Sequence, residues 1–247
     1  MKGVFKFMKE KIAVVTGAGT GIGQAIALEL AANGYTVYAN ARSEDKIKDT
    51  IEKGKEMNYE IRPLIFDVSI EEEVKNKILS LPYIDCIINN AAVGVDKEFR
   101  ELTESDWDKV FNTNVKGCYY CVKYALEKMT TGSSIINISS GAAKTGGDFV
   151  SLPYSASKGA INSMTIFFAR KLAPKGIRVN AVSPGFVDTR MLILNDKITK
   201  DYYKTIIPIG KLGIPQDIAY CVSFLVSEKA SYITGQIIEV NGGDIMG

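Results

Sequence analysis

Apolar positions along the chain follow two alternating rhythms. Short β-branched runs such as Ile12-Ala13-Val14-Val15 read as buried strands. Stretches with apolar residues three and four apart, such as Ile22, Ala25, Ile26, Leu28 and Leu30, read as helices. Strand-like runs recur at Thr36–Ala41, in a segment ending Phe66-Asp67-Val68, and at Ile84–Ile88, Ser134–Ser139, Arg178–Val182 and Gln236–Val240. Helical spacing covers Ser43–Met57, Ile70–Leu81, Asp106–Met129, Ser155–Leu172 and Lys211–Val226. Apolar strands separated by helices predict an α/β fold: a single doubly wound parallel sheet of about seven strands with helices on both faces. No linker or composition break divides the 247 residues, so one domain over 1–247 is expected. The rhythm fails only at Phe186–Ile209, where the irregular length predicts a lid-like insertion over about 186–209.

Composition narrows the chemistry. A net charge of +2, with no basic run interleaved with aromatics, argues against nucleic acid or a membrane surface as partner. No apolar run is long enough to span a bilayer. Met1–Lys11 carries four lysines and no long apolar stretch, so it does not read as a signal peptide, and a cytoplasmic location is expected. There is no histidine, which removes Ser-His-Asp and Cys-His hydrolases and His-ligated zinc. Cys118-Tyr-Tyr-Cys121 has the C-x-x-C spacing but falls inside a predicted helix, and Cys86 and Cys221 are isolated. Helix packing is the expected role, and no metal site is predicted.

The candidate chemistry begins directly after the first strand, at Thr16-Gly17-Ala18-Gly19-Thr20-Gly21-Ile22-Gly23. The spacing is G-x-x-x-G-x-G through Gly17, Gly21 and Gly23. The commoner G-x-G-x-x-G fails at Ile22 and Gln24, and no P-loop lysine follows. Glycines here let the backbone turn and approach a bound group, and the helix N-terminus then offers it unpaired N–H groups. The natural occupant is a diphosphate; a glycine-rich turn with no ligand is the alternative. Polar residues close three other strands on the same sheet edge: Asn89-Asn90-Ala91, Ser139-Ser140 and Ser183-Pro184-Gly185. Tyrosine followed four residues later by lysine occurs three times, as Tyr119/Lys123, Tyr124/Lys128 and Tyr154/Lys158. Each pair shares a helix face, so spacing cannot choose among them. Context singles out Tyr154, which comes soon after Ser140 and is preceded by Pro153, a helix-start residue.

Together these residues resemble the short-chain dehydrogenase/reductase family over essentially the whole chain. The resemblance rests on Thr16-Gly-x-x-x-Gly-Ile-Gly23, Asn89-Asn90-Ala91, Asn114 in Asn112-Thr-Asn-Val-Lys-Gly117, Ser140, Tyr154-x-x-x-Lys158, Pro184-Gly185 and Asn241-Gly242-Gly243. Ala92 departs from it, since glycine usually follows Asn-Asn-Ala. The resemblance implies a Rossmann-type fold and NAD(P)-dependent interconversion of a ketone and a secondary alcohol. It implies Asn114, Ser140, Tyr154 and Lys158 as the catalytic set.

In that set Tyr154 supplies the proton, Ser140 bonds the reacting oxygen, and Lys158 holds the nicotinamide ribose. Asn114 holds a water linking Lys158 to solvent. A free phenol titrates near ~10, so neutrality requires a shift of about two to three units, roughly 3–4 kcal/mol. A lysine about 4 Å away supplies up to about 4 kcal/mol at an effective dielectric of 20, so Lys158 is expected to lower the Tyr154 pKa.

The implied cofactor residues are Gly17, Thr20, Gly21, Ile22 and Gly23 at the diphosphate, Asp67 and Val68 at the adenine, and Asn90 at the adenosine ribose. Tyr154, Lys158, Val187 and Thr189 serve the nicotinamide end. At the end of the second strand, Ala41 stands where NAD-preferring members carry an acid, and Arg42 follows it. An arginine can fork onto a 2′-phosphate, so NADP(H) is favoured and NAD(H) remains possible, with Arg42 as a solvated charge the alternative.

The overall look is to 3-oxoacyl-[acyl-carrier-protein] reductases. Their carrier docks through basic residues near the start of the fifth strand and after the active-site helix. Here Thr130–Ser134 carries no charge, while Lys175 is present. The expected substrate is therefore a free small-molecule ketone or alcohol. Carrier-linked reduction, with acyl carrier protein as partner, is one alternative, and a non-catalytic NADP-binding regulator is another. Family members usually form homotetramers through two long helices, here Asp106–Met129 and Ser155–Leu172.

Overall fold

Strand β1 (Lys11–Val15) sits inside the sheet, between β2 and β4, because both its faces are apolar. Ala13 and Val15 join one buried cluster, while Val14 joins the other. The computed structural model describes residues 10–147, 150–189, 192 and 200–246. Its strands continue as β2 (Tyr35–Ala41), β3 (Ile61–Ile65), β4 (Cys86–Asn89), β5 (Ser134–Ile138), β6 (Arg178–Pro184) and β7 (Ile237–Val240). The 7-stranded sheet runs in the order β3-β2-β1-β4-β5-β6-β7 and every pairing is parallel. The chain reverses direction across the sheet between β1 and β4, and that switch point opens a crevice beyond the strands' carboxyl ends.

Helices α1 (Gly21–Ala32) and α2 (Glu44–Glu56) cover one face. They share it with the last helix, Pro215–Val226, whose Ile218, Ala219, Val222 and Leu225 are buried beside Ile26 and Leu30 of α1. Helix α3 (Glu71–Leu79) lies on the opposite face, with Val74 and Ile78 packed near Val122, Ala125 and Leu172. The doubly wound α/β architecture expected from the apolar rhythm is therefore present.

Several boundaries differ from those expected. Strand β3 ends at Ile65 rather than Val68, and Pro63 lies within it. Proline lacks a ladder N–H, which an edge strand tolerates. Phe66 and Val68 still bury their side chains just beyond the strand. The stretch Asp106–Met129 is not one helix. It divides into α4 (Glu104–Phe111), a π turn (Asn112–Lys116) and α5 (Gly117–Ala125). Two further helices follow: α6 (Ala142–Thr145), which the periodicity does not reveal, and α7 (Leu152–Leu172), which begins three residues before the expected Ser155.

Within the expected lid, Lys200–Ile206 is helix α8, with Tyr203 buried and its ring 4.7 Å from that of Phe186. Positions 190, 191 and 193–199 lie outside the described residues, as do residues 1–9 of the lysine-bearing start. The final helix, α9, starts only at Pro215 rather than Lys211, with proline in its first turn. No helix among the described residues is long and apolar enough to cross a membrane.

Candidate active site

The glycine loop owes its shape to what a side chain would strike. A Cβ on Gly23 would lie 2.2 Å from the Gly17 carbonyl oxygen and 2.4 Å from Asn90 Nδ2, so the first turn of α1 seats only without one. Gly21 is different: its φ of +57° places it in the left-handed region, and its open side faces Thr189 rather than backbone. Thr20 is the N-cap of α1 but makes no side-chain cap bond, so the first N–H groups of the helix are left for something else. An uncapped helix N-terminus with no Cβ in front of it fits a diphosphate.

Asn90 and Thr16 tie this loop to the end of β4. Asn90 Nδ2 donates to the Thr16 and Gly17 carbonyls, both at 3.0 Å, while Thr16 Oγ1 accepts from the Asn90 and Ala91 N–H groups. The Asn90 amide, expected at a ribose, is thus engaged with the loop itself. Asn40, which sequence analysis did not single out, completes the tie. Its Oδ1 accepts from Gly17 N and its Nδ2 donates to the Leu64 and Phe66 carbonyls. A lone asparagine inside the otherwise apolar β2 was the available signal.

The bonds continue toward α7. Asn114, in the π turn, is buried; its Oδ1 accepts from Val93 N at 2.8 Å and its Nδ2 donates to Val93 O and to Ser157 Oγ, each at 3.0 Å. Ser157 Oγ in turn donates to the Tyr154 carbonyl at 2.6 Å. These bonds, with the backbone from Ala91 to Val93 between them, join the glycine loop to the helix carrying Tyr154 and Lys158. Asn114 and Lys158 also line a void of about 10 Å³, roughly the room of one water.

One cleft of about 310 Å³ collects Ile22, Asn90, Ser140, Tyr154, Lys158, Val187 and Thr189. Gly17, Thr20, Gly21, Gly23, Arg42, Asp67, Val68 and Asn114 do not line it. Arg42 is exposed at the end of β2, with no hydrogen bond or ion pair among the described residues. The Asp67 carboxylate accepts from Ser69 N and Oγ in the turn before α3. The Val68 side chain turns into the core, where Gly117 approaches it closely.

Electrostatics at the reacting end correct one expectation. Burial pushes the Tyr154 phenol above its ordinary pKa, and only a hydrogen bond shared with Ser140 opposes this. The expected lowering by Lys158 is not seen, and the same burial destabilises the ammonium and brings Lys158 down to about 8. The Lys158 Nζ donates to the Ile138 carbonyl at 2.7 Å and lies 5.5 Å from the centre of the Tyr154 ring.

The competing pairs lie elsewhere. Tyr119 is exposed, and the Tyr124 hydroxyl and Lys123 Nζ both bond Glu71 Oε1 at 2.7 Å. Neither tyrosine lines the cleft.

A family model described as enoyl-(acyl carrier protein) reductase matches residues 17–244. The chain is 39% identical over 244 residues to the 3-oxoacyl-[acyl-carrier-protein] reductase FabG of Staphylococcus aureus, covering 96% of this chain and 98% of that protein. It is 36% identical to the corresponding reductase of Aquifex aeolicus, with the same coverage. Among solved structures it is similar to a glucose/ribitol dehydrogenase from Brucella melitensis, with a TM-score of 0.90, 34% identity, and 96% and 97% of the two chains covered. An actinorhodin polyketide ketoreductase variant with NADPH superposes with a TM-score of 0.89 at 30% identity, covering 95% of this chain and 97% of the other.

Sheet order, crevice and relatives define an α/β oxidoreductase. The chain belongs to the short-chain dehydrogenase/reductase family, enzymes that work between a carbonyl and a hydroxyl group.

None of the cysteines lines the cleft, although Cys118 and Cys121 line the small void beside Asn114 and Lys158. Cys118 and Cys121 are buried; burial pushes the Cys118 thiol up to about 12 and raises Cys121 as well. Cys118 Sγ lies 3.4 Å from Asn137 Oδ1. Native protein at pH 8 is expected to resist a thiol-disulfide reagent at Cys86, Cys118 and Cys121, while denaturant releases all four thiols. Rapid native reaction of Cys118 and Cys121 as a pair would instead point to redox chemistry at this C-x-x-C spacing.

Proposed function

We propose that this enzyme interconverts a ketone and a secondary alcohol on a small molecule with NADP(H), using Ser140, Tyr154 and Lys158 as its reacting groups. The observation carrying this reading is their meeting in one cleft that reaches the uncapped N-terminus of α1. A nicotinamide bound there supplies or accepts the hydride at the carbonyl carbon. The glycine loop holds the diphosphate with the free N–H groups of Gly21, Ile22 and Gly23, and Val187 and Thr189 flank the far end of that path.

In the reducing direction the carbonyl oxygen gains negative charge. Ser140 donates a hydrogen bond to it, and Tyr154 gives it a proton. The raised pKa of Tyr154 keeps that proton in place across the neutral range, which is the form the reduction needs. Lys158 would bond the ribose hydroxyls. The void shared by Lys158 and Asn114 supports a single bridging water for reprotonation.

Carrier-linked reduction of a 3-oxoacyl group is the second reading, favoured by the FabG relatives. Against it, Thr130–Ser134 carries none of the basic residues through which those relatives dock their carrier; it meets the exposed Lys175 at the amino edge of the sheet, where Gly132 N donates to the Gly176 carbonyl. The cleft lies at the opposite, carboxyl edge.

Tyr154→Phe should lower kcat by about 10²–10⁴ while leaving cofactor affinity nearly unchanged. Tyr119→Phe and Tyr124→Phe should stay within a few-fold of wild type. Steady-state kinetics over a panel of ketones, sugars and oxoacyl thioesters measures both, and a Tyr154→Phe enzyme keeping over a tenth of wild-type kcat would refute the mechanism.

Arg42, exposed and unpaired beyond Ala41, supports NADP(H) over NAD(H). Losing a charge-assisted bond costs about 1.5–3 kcal/mol, roughly 10- to 150-fold. Ala41→Asp combined with Arg42→Ile should therefore turn the preference toward NADH, as read from kcat/KM for the two cofactors. Equal values in the wild type would remove the basis for this assignment.

Ile166 and Phe167 on α7 and Tyr119 on α5 are large apolar side chains left exposed. A homotetramer covering these faces is the proposed assembly. Light scattering at micromolar concentration should give the mass of four chains; a fully active monomer would contradict it.

A further inference from the structure

Beyond the reacting groups, one wall of the cleft is built by the end of the chain, and nothing in the reaction as derived so far uses it. Asn241 folds this segment back on itself. Its Oδ1 accepts from Gly243 N at 2.9 Å, and its Nδ2 donates to the Ile245 carbonyl at 3.0 Å. A Cβ on Gly141 would lie 2.7 Å from Ile245 Cδ1, so the tail packs against the residue next to Ser140. Lys144 of α6 pairs with Glu239 of β7 at 3.1 Å, bracing the same junction. The tail is thereby a fixed part of the cleft.

Asp244 is the single carboxylate lining that cleft among the described residues. Of the other residues lining the cleft, Ala142, Val150, Phe186, Ile206 and Ile245 are apolar. Its side chain has no hydrogen bond or ion pair among the described residues, and loss of water raises its pKa. A carboxylate placed this way is stabilised by a ligand that brings a hydrogen-bond donor and is made worse by a ligand that brings a negative charge.

We propose that Asp244 determines specificity, selecting a ketone that carries a hydroxyl group near the carbonyl and rejecting one that carries a carboxylate there. This assignment rests on Ser140, Tyr154 and Lys158 being the reacting end. The substrate class is then a hydroxyketone in one direction and the corresponding diol in the other. The apolar wall takes the carbon skeleton, and Asp244 takes the hydroxyl hydrogen.

Three ketones of similar size test it: pentan-2-one, 4-hydroxybutan-2-one and 3-oxobutanoate. Wild-type kcat/KM should rank the hydroxyketone first and the oxo acid last. Asp244→Ala should cut the hydroxyketone's advantage over pentan-2-one by about tenfold or more, the scale of a lost bond to a charged group. It should also raise turnover of 3-oxobutanoate and leave pentan-2-one within about threefold, with NADPH affinity unchanged in a fluorescence titration. Asp244→Asn should relieve the exclusion of the oxo acid while keeping part of the hydroxyl preference. Ratios that stay within twofold of wild type in both variants overturn the assignment. So does a wild type that uses none of the three yet shows Tyr154-dependent turnover of another carbonyl. Turnover that survives Tyr154→Phe instead brings down the reacting-end reading, whatever the Asp244 ratios show.

Discussion

The glycine loop and the end of β4 approach until no methyl group fits between them. With 2.2 Å from a notional Gly23 Cβ to the Gly17 oxygen, the turn, the strand end and the first turn of α1 behave as one body. Thr16, Asn40 and Asn90 then join side chains to backbone across that contact, so three separate sequence segments hold a common register. Everything downstream inherits it. Ala91 leads to Val93, Val93 is gripped by Asn114, Asn114 holds Ser157, and Ser157 holds the carbonyl of Tyr154. The glycine loop and the Tyr154 end of the cleft are thus set relative to one another by bonds that are buried at Ser157 and part-buried elsewhere, and the buried ones are strengthened by the low dielectric around them.

A second run of polar groups lies inside the protein behind Lys158. Asn89 donates to Asn137, Asn137 to Thr165, and Thr165 back to the Ile161 carbonyl, while Ser139 reaches Asn162. These residues face α7 from β4 and β5, where apolar side chains would pack as readily. Their partners fix the rotation of α7 against the sheet more sharply than non-directional packing could. The ammonium of Lys158 is costly to bury, and the Ile138 carbonyl offsets part of that cost by accepting a hydrogen bond from it at 2.7 Å.

How much of this was legible depended on whether a feature is local in sequence. The strands were visible because a sheet buried on both faces leaves unbroken β-branched runs such as Ile84–Ile88. The glycine loop and Tyr154 were visible because proline, glycine and strand ends mark their own positions. Helix Asp106–Met129 was drawn too long because Cys118, Cys121, Val122 and Ala125 keep helical spacing among themselves, which conceals the change of pitch before Gly117. Strand β3 was misplaced because Phe66 and Val68 stay buried beyond its last residue, with Phe66 N still donating to the Ala41 carbonyl. The phenol's raised pKa was out of reach for a different reason: spacing along a helix reports that Lys158 is near Tyr154 but carries no measure of how much water both have lost. Asn137 and Ser157 were likewise silent, since a buried polar residue looks like a surface one until its partners are known.

The π turn at Asn112–Lys116 has a consequence for how such a chain can change. A residue added to a helix rotates all that follows by about 100° unless the extra residue is absorbed locally. Here it is absorbed, so Val110 before the turn and Cys118 after it are both buried. The turn acts as a phase adjuster between two otherwise ordinary helices. It also means that Asn114 sits where the two phases meet, a position that neither helix alone would aim at Val93 and Ser157. A side chain with three directed bonds has been placed by a slip in winding, and its address is held by geometry on either side rather than by its immediate neighbours.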